Sequence, residues 1–147
     1  MSGSERDERG SALVEVTWLS LLLLVPLLYV LLGVFEVQRA SYGVSGAARA
    51  AARAYSLAPD EGSAPARARA AAAVALRDQD VDVADVAMTV RCEPQPGNCL
   101  APGSAITVLL RHQVRLPLAP DALGAQAPSF RVEADHTVVY GEFREDR

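Results

Sequence analysis

The sequence predicts an α+β protein with a long N-terminal transmembrane helix, a second short Ala-rich helix and then a small three-stranded antiparallel sheet. Three observations carry this expectation. Residues 16–35 hold no charge, alanine and arginine dominate 47–54 and again 64–77, and beyond about residue 85 the apolar period changes from helical to two.

The uncharged stretch lies between Glu15 and Glu36. At about 1.5 Å per residue a helix covers roughly 30 Å with it, the thickness of a bilayer's hydrocarbon core. Leu21 to Val25 and Leu27 to Leu32 are apolar on every side, where a surface helix would keep one polar face. Pro26 removes one backbone hydrogen bond in the middle, predicting a bend that a membrane helix tolerates. A removable secretory signal has a shorter apolar run of about 7 to 15 residues and a positive start. Here the run is longer, and the leader Glu5, Arg6, Asp7, Glu8 and Arg9 is mixed in charge. Arg6 and Arg9 precede the span while Arg39, Arg49 and Arg53 follow it, so counting by the positive-inside rule leans slightly against an outer C-terminal domain, and that topology rests instead on the leader junction and the cysteine pair described below.

After Glu36 the helix is expected to continue, because Ala47 to Ala54 is rich in the strongest helix former and no proline follows until Pro59. Gly43, Ala47 and Ala51 recur every four residues, a small-residue stripe that lets another helix approach closely. Alanine-rich composition alone also produces such stripes. Pro59, Asp60, Glu61 and Gly62 break the helix, and Ser63 is placed to cap a second one reaching about Arg77.

Three period-two segments follow. Val86, Met88, Val90 and Cys92 alternate with polar residues, as do Ile106, Val108, Leu110, His112, Val114 and Leu116, and then Val132, Ala134, His136, Val138 and Tyr140. They predict an antiparallel sheet with one apolar face packed on a helix. Cys92 and Cys99 bracket the turn-rich loop Glu93 to Asn98, and in an oxidising compartment they form one local disulfide.

Several function classes are disfavoured. A formal net charge of -4 with no basic run argues against nucleic acid, which requires clustered Lys or Arg. Asp135 and His136 are neighbours on one strand and point to opposite faces, and no Ser or Cys motif accompanies them, so no catalytic triad is expected. Cys92, His112 and His136 share a strand parity that would suit zinc, but the cysteine spacing is not C-x-x-C and sheet histidines are commonly core residues. The expectation is therefore a non-enzyme with no metal, cofactor or small-molecule substrate.

The most specific segment is Glu8-Arg9-Gly10-Ser11-Ala12-Leu13-Val14-Glu15: a charged leader, a glycine, then an apolar helix with a carboxylate at the fifth residue from Ser11. It resembles a prepilin processing site. The resemblance implies that a prepilin peptidase cuts between Gly10 and Ser11 on the cytoplasmic side and that Glu15 serves assembly. With Pro26, then Gly33 to Ala40 containing Gly33-x-x-Glu36, and the Ala/Arg-rich run Ala47 to Tyr55, the stretch Arg9 to Tyr55 is similar to the TadE-like family of the tight-adherence (Tad/Flp) pilus system. Val16 stands where major pilins of that system carry tyrosine, which favours a minor pilin or pseudopilin.

The expected organisation is then a leader at 1–10, a transmembrane helix with an extracytoplasmic extension at 11–57, and a small extracytoplasmic α+β domain at 58–147. Implied partners are membrane lipid, the prepilin peptidase and other pilins through helix packing, with a place in the cytoplasmic membrane and in or at the tip of a surface pilus used for adhesion. The competing class is a permanently anchored extracellular binding protein that never enters a filament.

Overall fold

The computed structural model describes residues 8–115 and 129–141. Glu5, Arg6, Asp7 and Leu116, which the sequence reading used, lie outside them. The elements are α1 (Glu8–Ser56), α2 (Ala64–Arg77), a 3-10 turn (Val83–Asp85), β1 (Val86–Glu93), β2 (Ala105–Arg115) and β3 (Ser129–Val139). This is the α+β layout expected from the sequence. The chain forms two compact units, Met1–Phe35 and Glu36–Arg147.

The first unit is the apolar part of α1, which runs as helix through Pro26. Its large side chains are bare: Trp18 is 69% exposed, Leu22 70% and Leu23 71%. An apolar surface of this extent is not left to water in a soluble monomer. Thr17 donates to the Leu13 carbonyl across 2.8 Å, so its hydroxyl is satisfied within the helix. Among the described residues, one helix is long and apolar enough to cross a membrane, and this is it.

In the second unit the remainder of α1, α2 and the sheet share one buried cluster. Ala40, Ala47, Ala48, Ala51 and Ala52 from α1 are buried with Ala64, Ala68, Ala72 and Leu76 from α2, the latter at perfect four-residue spacing. Ile106, Val108 and Leu110 from β2 complete it at 1% exposure or less. Small side chains on the helices and branched ones on the central strand divide the volume, as close packing requires.

The sheet has the order β1-β2-β3, antiparallel throughout. Val86 pairs with His112 and Cys92 with Ile106 on one side, and His112 with Val132 and Ile106 with Val138 on the other. The predicted parity therefore holds on all three strands, and β2 is the most buried because it alone has a neighbour on each edge. The opposite face is polar, with Arg111 bridging Glu133 at 3.1 Å and Thr107 hydrogen-bonded to Thr137 at 2.8 Å.

Two local details differ from expectation. Ser63 makes no side-chain cap for α2. Asp60 performs that role: its Oδ1 accepts from the Ser63 amide at 2.8 Å and its carbonyl from the Ala64 amide at 3.2 Å. A carboxylate reaches an amide three residues on and favours the positive helix end, so the aspartate wins over the serine. The Gly43, Ala47 and Ala51 stripe is also already occupied. All three are buried within the protein's own domain, and a Cβ on Gly43 would stand 3.1 Å from both Gln79 Cβ and Val81 Cγ2.

Candidate functional site

Gly10 and Ser11 lie in the first turns of α1, which begins at Glu8. Ser11 and Glu15 are therefore at positions i and i+4 of continuous helix. The Glu15 side chain is exposed and, among the described residues, has no ion-pair partner. Glu36 at the other end of the uncharged stretch is different, being held by Arg39 Nη2 at 2.8 Å. Of the two acids that bound the apolar rod, only Glu36 is ion-paired among the described residues.

Cys92 and Cys99 are joined in a disulfide with Cα atoms 5.2 Å apart. Both are buried, and they close a loop between β1 and β2 whose far end is tied to the helices. Glu61, in the turn between α1 and α2, accepts from the Leu100 amide through Oε1 and from the Tyr55 hydroxyl through Oε2 at 3.2 Å. Burial pushes Tyr55 up to about 12, and the negative charge of Glu61 and its hydrogen bond act the same way. Sequence reasoning used Glu61 only as a helix breaker. Nothing in its spacing signals a contact with a residue so far along the chain.

Shared parity did not bring the possible zinc ligands together. The sulfur of Cys92 is spent in the disulfide, and Cys92 and His112 lie at opposite ends of the β1–β2 pairing, about 20 Å apart at roughly 3.4 Å per residue. His112 places Nδ1 3.3 Å from the Asp85 carbonyl, the behaviour of a satisfied core histidine. No group of three His, Cys, Asp or Glu among the described residues is arranged to hold a metal.

Two shallow hollows mark the domain. One of about 190 Å³ is lined by Glu36, Arg39, Asp80, Asp85, His112 and Arg115. The other, about 480 Å³, lies between Tyr55, Arg91 and the disulfide loop. Neither gathers an activated nucleophile beside a base.

No family model, no curated protein and no solved structure matches the chain.

Proposed function

We propose that this chain is a structural subunit, a minor pilin or pseudopilin, of a Tad-type pilus or related secretion filament. The observation that carries the reading is Glu15, a carboxylate with no ion-pair partner among the described residues, near the start of a bare apolar helix and five residues after a glycine that ends a charged leader. A charged group deep in a span costs about 2.5–3.5 kcal/mol at the helix centre and less near the interface, so it seeks a counter-charge. Cutting between Gly10 and Ser11 creates one, a free amine on the same helix face four residues away, in its own chain or a neighbour's.

The span sits in the cytoplasmic membrane with the α+β domain outside, where the Cys92–Cys99 bridge persists. The contacts are with lipid, the prepilin peptidase and other pilins. The role is structural and adhesive, and it needs neither catalysis nor cofactor.

Intact-mass measurement on protein from its native host membrane tests this. Loss of Met1 to Gly10, abolished by Gly10→Leu, is expected. A retained leader, or a domain accessible only from the cytosol, leaves a permanently anchored protein of another kind.

A further inference from the structure

The side of α1 that faces away from its own domain carries a stripe that nothing among the described residues covers. Gln38, Tyr42, Gly46, Arg49 and Arg53 return to one helix face, and all five are exposed, Tyr42 at 75%. Gly46 has open space where a Cβ would stand. A glycine inside a helix costs about 1 kcal/mol relative to alanine, and no contact among the described residues requires this one, in contrast to Gly43. Arg49 and Arg53 make no ion pair among the described residues.

A complementary patch lies at a different height. The segment after α2 exposes Asp78, Asp80, Asp82 and Asp85, and among the described residues only Asp80 of these meets a cation, Arg39 at 3.7 Å. Gly43 packs against Gln79 and Val81, so this acidic turn is level with Gly43. Arg49 and Arg53 stand further along α1 by roughly 9 to 15 Å.

We propose that the Tyr42 to Arg53 stripe docks a second copy of this chain, shifted along the helix axis by about 9 to 15 Å so that its acidic turn meets Arg49 and Arg53. Tyr42 is the aromatic anchor, and the notch at Gly46 admits the partner's backbone. Because the two patches differ, each copy offers one and keeps the other free. Such a heterologous contact propagates into an open array wherever its rotation does not close a ring. The inference rests on the filament reading and gives it a subunit contact outside the apolar helix.

The test is cross-linking of the full chain in native membranes under mild oxidation. The native cysteines are bridged and buried and do not compete. A chain carrying both Arg53→Cys and Asp78→Cys is expected to give a ladder of multimers. Co-expressing the two singly substituted chains stops it at mixed dimers. Adding Arg49→Glu cuts the ladder about tenfold, and adding Asp85→Arg as well restores it. A ladder no stronger than that of a control pair on the outer sheet face, Arg91→Cys with Glu133→Cys, overturns the contact. Intact mass on the same sample separates the two ideas: a trimmed chain without a ladder sinks only this contact, whereas a retained leader sinks the filament reading whatever the ladder shows.

Discussion

The Tyr55 hydroxyl donates to Glu61 Oε2 across 3.2 Å at the point where α1 gives way to the turn before α2. The other oxygen of Glu61 accepts from the Leu100 amide, so one carboxylate joins the end of the long helix to the disulfide loop.

A pH dependence follows from this contact. An unfolded tyrosine titrates near 10, while burial and Glu61 raise Tyr55 to about 12. Between those values the folded state keeps a proton the unfolded chain has lost. The stabilisation is fully present below pH 10 and fades as pH rises towards 12, by on the order of 1–2 kcal/mol. Urea unfolding of the detergent-solubilised chain should show this decline. Tyr55→Phe should remove it and cost about 1 kcal/mol at neutral pH through the lost hydrogen bond. An unchanged alkaline slope in that variant would assign the effect to another group.

The Gly43 position separates packing within the domain from packing between subunits. With the Gln79 and Val81 side chains each 3.1 Å from where a Cβ would stand, Gly43→Leu overpacks this contact and should destabilise the domain by roughly 1–3 kcal/mol. Gly46→Ala, which meets nothing, should instead stabilise it by about 1 kcal/mol. Thermal unfolding of the two variants reads the difference. Equal effects of the two substitutions would show that Gly43 is not a packing glycine.

These residues also show what the sequence could and could not reveal. The alternation through β2 is legible because a strand with one face in the core must place Ile106, Val108 and Leu110 on one side, and register follows from parity. The apolar rod is legible from length alone. The small-residue stripe was legible as a close-approach surface, but periodicity does not say which helix or strand comes close, and the partner proved to be the chain's own domain. The α2 stripe of Ala64, Ala68, Ala72 and Leu76 carries the same signal and was equally readable. The Glu61 junction was not, because side-chain contacts between distant loops leave no period in the sequence.

Glu15 should separate insertion from assembly. Replacing it with Leu removes the carboxylate from the edge of the apolar rod, which favours insertion by up to about 2.5–3.5 kcal/mol, less near an interface. Under the filament reading proposed above, the membrane-bound amount of Glu15→Leu should be undiminished and its leader still trimmed, while recovery in sheared surface filaments falls at least tenfold. Normal recovery of this variant in filaments would deny Glu15 any assembly role.

Asp80 is the last position that tests a physical reading of the fold. It has φ +53, a left-handed conformation in which a side chain is disfavoured by roughly 1–2 kcal/mol, less for Asp than for bulkier residues. The reason is the exit from α2. The Val81 amide donates to the Leu76 carbonyl at 3.0 Å and the Asp80 amide to the Arg77 carbonyl at 3.0 Å, a Schellman closure in which buried Val81 follows the left-handed residue back towards buried Leu76. Glycine is the natural occupant of that position. Asp80→Gly relieves the backbone and gives up an exposed 3.7 Å pair with Arg39 that contributes little. The net expectation is a gain of about 0.5 kcal/mol, a rise of a few degrees in the melting of a domain this size. Asp80→Val, branched at Cβ, should lower stability by at least about 1 kcal/mol. If valine and glycine are tolerated alike, the left-handed turn is not what closes α2.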